Sequence, residues 1–253
     1  MILSDLTPLV TSWTICIHLD QPRSLLTPQK VGAFWLRISS EYPNFRLCAD
    51  RSDWSGQLDD QSGLKYMFSS KDHSSTVIVS DSGFSFRGLA NYDDISSCND
   101  IRKLAKISFD HFRGSITDNI DGDGVGVGRV ELIFNGVINP CRYWENSFDT
   151  YRVFPSIRVI PLDVSIGSSP DFKFMISYCP DSDVDLHVAV QTRRKAKRSN
   201  ETVISFEYRA EKERPANIQN QFWSWYDRAY QSITRCFVAM TNPYVRSVFW
   251  RCD

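Results

Sequence analysis

The segment ANIQNQFWSWYDRAYQSITRCFVAM, Ala216 to Met240, is the longest unbroken helical pattern in the chain and its richest aromatic surface. Phe222, Tyr226, Ala229, Tyr230, Ile233, Cys236, Phe237 and Met240 recur at the three- and four-residue spacings that mark one face of a 3.6-period helix. Pro215 stands where a first turn tolerates proline. Thr241-Asn242-Pro243 then stops the run and caps a short second helix through Val245, Val248 and Phe249. A stripe of this length left in water would aggregate, so a sheet or several helices must cover it. It reads as core packing, the ordinary use of large aromatics, or as the wall of a ligand pocket with Trp223 and Trp225 at its mouth.

Three strands lead into that helix. Phe172, Phe174, Ile176 and Tyr178 recur at every second position, as do Val184, Leu186, Val188 and Val190, and then Thr202, Ile204, Phe206 and Tyr208. Further upstream, Val130, Leu132 and Phe134 form a strand that ends at Asn139-Pro140, while Tyr143 to Pro170 reads as irregular with one short strand near Val153 to Ile160. The N-terminal half has a similar order. Trp13, Ile15, Ile17 and Leu19 alternate with Ser12, Thr14, Cys16 and His18, which puts His18 on the wetter face. Thr27-Pro28 opens a helix whose stripe is Val31, Phe34, Trp35 and Ile38, stopped at Tyr42-Pro43. A polar stretch without periodicity follows to Gly63, then strands at Leu64 to Ser69, Thr76 to Val79 and Phe84 to Leu89. A second helix, capped by Ser96 or Ser97, carries Ile101, Leu104, Ala105, Phe109 and Phe112 to Gly114.

This order predicts an α+β fold: a largely antiparallel sheet covered on one face by helices, closed by the long aromatic C-terminal helix. We read residues 1–253 as a single domain, and the likeness in element order between 1–125 and 126–253 suggests a degenerate duplication without a residue-level repeat. A net charge of -1 from 29 basic and 30 acidic residues removes the general electrostatic case for nucleic-acid or anionic-membrane binding. Seven cysteines, an odd set without Cys-x-x-Cys, read as reduced thiols in a cytoplasmic protein. No signal peptide and no run of 18 apolar residues is visible, so neither export nor a membrane span is expected.

Few residues point to chemistry. Asn119, Asp121 and Asp123 offer oxygen donors in the register that opens a calcium loop, but the closing position is Val130 rather than Glu, and a glycine-rich hinge explains the same letters. Arg193, Arg194, Lys195, Lys197 and Arg198 make a basic hairpin tip suited to phosphate contact, with Asp181, Asp183 and Asp185 at a neighbouring turn to balance it. His18, His73, His111 and His187 show no metal spacing and no sequence-local partner, and no Gly-x-Ser-x-Gly elbow is present. No catalytic residues and no cofactor are expected, and the reading leans away from an enzyme without deciding the question.

Pro8-Leu9-Val10, Phe34-Trp35 through Tyr42-Pro43, Gly128 to Asn139 and Phe222-Trp223-Ser224-Trp225-Tyr226-Asp227-Arg228-Ala229 resemble, in order, a sporadically distributed bacterial family of about 250-residue proteins of unassigned function. The resemblance spans nearly the whole chain. It departs where the family opens on Pro-Pro-Val and where a basic-aromatic strand core is replaced by Leu132-Ile133-Phe134-Asn135. The resemblance implies no reaction, and its patchy distribution implies carriage on phage-defence or toxin-neutralising loci. The expected function is therefore a cytosolic interaction or accessory protein with a protein partner. The alternatives are a small-ligand-binding or hydrolytic protein with a cleft between sheet and C-terminal helix, and nucleic-acid contact through the basic hairpin.

Overall fold

The computed structural model describes residues 10–20, 26–48, 64–90, 96–116, 127–138, 150–157, 173–181, 183–194, 202–213 and 218–243. Its frame is one nine-stranded sheet, antiparallel at every pairing. In chain order the strands are β1 (Val10–Leu19), β2 (Asn44–Cys48), β3 (Lys65–Ser69), β4 (Ser75–Ser80), β5 (Gly83–Ala90), β6 (Val127–Ile138), β7 (Lys173–Asp181), β8 (Val184–Arg194) and β9 (Thr202–Glu213). The helices are α1 (Pro28–Ile38), α2 (Ser96–Ile116), the single turn α3 (Thr150–Val153) and α4 (Ile218–Met240).

Across the sheet the order is β2-β3-β4-β5-β1-β6-β9-β8-β7. This order is mirrored about the central pair. β5 flanks β1 as β9 flanks β6, β4 and β3 match β8 and β7, and β2 has no counterpart among the described residues. The pairing of Ile15 with Leu132 joins the two halves through their first strands.

Period-two alternation sends one set of side chains to each face. Trp13, Ile15 and Ile17 of β1, Phe84 and Phe86 of β5, Leu132 and Phe134 of β6, and Phe206 and Tyr208 of β9 are all buried on the helix side. Their rings mesh with the helical stripes. Trp13 stacks on Phe134 at 4.4 Å and meets Tyr230 of α4 at 5.1 Å. Phe34 of α1 and Phe112 of α2 meet edge to face, and Phe109 of α2 reaches Phe222 of α4. Each such pair adds about 0.5–1.5 kcal/mol beyond the area it buries.

Helix ends follow the chemistry of their residues. Thr27 caps α1, its Oγ1 accepting from Lys30 N, with Pro28 in the first turn. Val31, Phe34 and Ile38 are buried as the stripe requires, whereas Trp35 lies at the border and is 36 % exposed. α4 ends at Met240, where Thr241 Oγ1 donates to Phe237 O and Asn242 N donates to Val153 O, tying the helix end to α3. The expected second helix from Val245 lies outside the described residues, as does the Asn119, Asp121 and Asp123 loop.

Two local readings need correction. Asn44–Cys48, placed by sequence in an aperiodic loop, is the edge strand β2, paired with β3 from Asn44↔Ser69 to Cys48↔Lys65. Its residues are almost all exposed, so burial never imposed an alternation on them. Of the strand expected near Val153 to Ile160, Val153 closes α3 and residues 154–157 form a turn, with Phe154 buried against Phe206, while residues 158–160 lie outside the described residues. One anchored ring holds that segment without a pleat.

Candidate functional site

No described helix lies on the second face of the sheet, yet its centre is buried and polar. Ser12, Thr14 and Cys16 of β1, Ser85 of β5 and Glu131 of β6 are all buried there. Cys16 and His18 sit two residues apart on β1 and therefore share this face. Register sets Glu131 directly opposite Cys16, and Arg129 opposite His18. The pairing then slips between His18 and Leu19, a bulge at Gly128, where a Cβ would lie 2.8 Å from Asp20 Oδ1. Bulges re-aim neighbouring side chains, and this one adjoins His18.

The Glu131 carboxylate has no solvent exposure. His18 Nε2 donates to its Oε2 at 3.2 Å. Oε1 lies 3.4 Å from Arg129 Nη2 and 3.7 Å from Arg209 Nη1, ion-pair distances without a hydrogen bond. Burial alone would raise this carboxyl's pKa; the His18 hydrogen bond and the charges of His18, Arg129 and Arg209 together outweigh it and hold the group below its ordinary value. Cys16 shows the opposite balance. Burial first, then the Glu131 charge, push its thiol up to about 12, against weaker help from Ser85 and the two arginines. A fully buried neutral thiol is no nucleophile, so a Cys-His-Glu triad of the hydrolytic kind is not what this cluster builds. Its donor set does suit a metal ion, since one ligand atom from each of Cys16, His18 and Glu131 lies within 4.8 Å of the others.

A second polar group on the same face lies towards β7. His187 Nε2 donates to Glu211 Oε1 at 3.0 Å, its Nδ1 is 2.7 Å from Ser177 Oγ, and Cys179 Sγ donates to Asp185 at 2.7 Å. Most of these side chains are well exposed, so they count for little in stability.

The residues singled out from sequence fall in three places. Trp225 is 1 % exposed, and its Nε1 donates to Asp183 O at 2.9 Å; it belongs to the core, not to a pocket mouth. Trp223 is half-buried, packed on Phe222 with the Arg102 guanidinium 6.0 Å from its ring. Between α4 and the middle of the sheet the space is filled by Phe222, Tyr226, Ile233 and Phe237. A cavity of about 510 Å³ opens instead at the sheet edge, where Tyr178 and Pro180 of β7 face Arg228, Ser232 and Arg235 of α4.

Arg193 and Arg194 end β8, whereas Lys195, Lys197 and Arg198 lie outside the described residues. The supposed balance by Asp181, Asp183 and Asp185 is overturned by topology. Those acids sit at the β7–β8 turn, a full strand away, about 30 Å at ~3.4 Å per residue. Asp183 is instead held by Lys212 at 2.8 Å and Arg228 at 2.9 Å.

A feature not anticipated from sequence lies at the opposite edge. Phe45 and Leu47 of β2, Leu64 and Trp35 are 48, 49, 53 and 36 % exposed on the helix side of the sheet. Three of them form one surface: Trp35 meets Phe45 at 6.0 Å, Phe45 stacks on Tyr66 at 6.3 Å, and Leu47 is the cross-strand partner of Tyr66. The signal was present in the alternation of Phe45 and Leu47, but two letters amid polar neighbours do not make a period. Likewise Cys16-x-His18 was visible, while Glu131 became its partner only through register.

No family model, no curated protein and no solved structure matches this chain. Among the described residues no helix is long and apolar enough to cross a membrane, and Cys16, Cys48, Cys179 and Cys236 are free.

Proposed function

We propose that this chain is an interaction protein that captures a protein partner on the β2 edge. The observation that carries it is the apolar surface of Trp35, Phe45 and Leu47, exposed beside a strand that pairs only with β3 among the described residues. An exposed edge with a greasy flank is a hazard that folded proteins usually blunt. Kept open, it suits an extended segment of a partner that adds a strand to β2 and lays alternate apolar side chains on Phe45 and Leu47. The resemblance to the sporadically distributed bacterial family adds that the partner is a cytoplasmic protein of a phage-defence or toxin-neutralising locus. We also read the mirrored strand order as the trace of a degenerate duplication, in which β2 is the addition that gives one half a binding edge.

The test compares the intact chain with Phe45→Asp/Leu47→Asp and with Met175→Asp, an exposed apolar site on the opposite edge strand. In affinity capture from the native host, the partner should be retained by wild type and Met175→Asp and lost by the β2 variant. Equal capture by all three proteins would refute the reading. Self-association lost only in the β2 variant would assign the surface to a second copy instead.

One observation favours a second reading. The backbone of β8 carries Arg193 and Arg194 to the end of the strand away from the acids of the β7–β8 turn. Neutralising Arg193, Arg194, Lys195, Lys197 and Arg198 would then abolish salt-sensitive binding to DNA or RNA. No binding by wild type at low salt would remove that reading.

A further inference from the structure

We propose that Cys16, His18 and Glu131 form a binding site for one divalent transition-metal ion of the zinc class. The three donors come from the two central strands, the stiffest part of the sheet: two from alternate positions of β1 and one from the residue of β6 opposite Cys16. Zinc binds sulfur at about 2.3 Å and nitrogen or carboxylate oxygen at about 2.0–2.2 Å, so its ligand atoms stand roughly 3–4 Å apart around a tetrahedron. His18 Nε2 and Glu131 Oε2 already have that spacing at 3.2 Å. All three donors fall within 4.8 Å of one another, so the set needs to draw together by no more than about 1 Å to hold one ion.

The surroundings supply what a metal site needs beyond its ligands. Arg129 and Arg209 lie at Oε1, fixing the carboxylate and leaving Oε2 to the ion. Ser85 Oγ, 3.6 Å from Cys16 Sγ, orients the sulfur. Thiolate and carboxylate together neutralise a divalent ion, so the two guanidinium charges beside it favour an anion or water at the remaining position. Soft sulfur beside imidazole and one carboxylate selects zinc, cobalt or copper over magnesium or calcium, which take oxygen ligands.

The intact chain is stripped with chelator and titrated with Co²⁺, whose thiolate charge-transfer absorption reports a sulfur ligand directly. One Co²⁺ per chain, a charge-transfer band, and displacement by Zn²⁺ are expected. Cys16→Ser should abolish the band, and His18→Asn and Glu131→Gln should each weaken binding at least about tenfold. Cys179→Ser, an exposed thiol on the same face, should leave it unchanged. Circular dichroism confirms that each variant folds. Should Cys16→Ser not fold, His18→Asn at the partly exposed rim decides the matter by affinity. No band in wild type, a band that survives Cys16→Ser, or wild-type affinity in folded His18→Asn overturns the proposal.

Discussion

Gly136 is where the core permits no side chain, and substituting it gives a sharp test of the helix-side packing. It lies on β6 directly opposite Phe206 of β9, and the Phe206 ring occupies the space a Cβ would fill. That Cβ would stand 2.2 Å from Cζ and 2.7 and 2.9 Å from the two Cε atoms. Ordinary carbon contacts need about 3.5–4.0 Å, so the ring must move by about 1.3 Å or more. Phe134, Phe154, Tyr208 and Phe237 surround it with ring centroids 5.6–6.1 Å away, which leaves little room for a tilt. Gly136→Ala should therefore destabilise the fold by about 2–3 kcal/mol, combining overpacking with an off-rotamer Phe206. Phe206→Leu alone should cost about 1–2 kcal/mol for lost apolar volume. Leucine lacks all three clashing atoms. The double variant should then cost little more than Phe206→Leu, leaving the two changes coupled by about 2 kcal/mol. Urea unfolding of the four proteins measures this cycle. Additivity within about 0.5 kcal/mol would refute the reasoning, because it would mean the two residues do not share that space.

In chelator-treated protein, Glu131→Gln should lower stability by about 1–2 kcal/mol, since the buried carboxylate loses its charge pairing with Arg129 and Arg209, while Arg209 keeps Glu207 at 2.9 Å. Urea unfolding checks it, and Glu131→Met/Arg209→Met should recover part of the loss. Asp183 tests the sign of a pH effect: the hydrogen bond and charge of Lys212, aided by Arg228, hold its carboxyl below the ordinary value. A depressed folded value means the contribution is present above the unfolded pKa of about 4 and is lost as the pH falls through the lower folded one. The melting-temperature advantage of wild type over Asp183→Asn should therefore be seen at neutral pH and fade below about pH 4; an advantage that grows on acidification would contradict the pairing.

Where a residue's environment is set by its near neighbours, the sequence alone determined the outcome. The stripes of α1, α2 and α4, the Thr27-Pro28 cap, the stop at Thr241 and eight of the nine strands are local consequences of periodicity, turn chemistry and capping. So was the sheet-plus-helices class, because stripes of that size have few ways to be covered. Tertiary structure decided what depends on residues distant in the chain. β2 exists because β3 offers it an edge, although its own letters carry no usable period. Trp225 became a core residue because the β7–β8 turn presents Asp183 O to its indole. The acids of that turn cannot reach the basic tip, because a strand separates the two ends of β8. Cys16 and His18 could be placed together on a polar face by counting in twos, but Glu131 lies 113 residues beyond His18, and only the β1–β6 register brings it within 3.2 Å. Alternation assigns a face, and register assigns the neighbour. Register is fixed by how both strands bury their apolar sides against the same helices, which no local stretch of sequence contains.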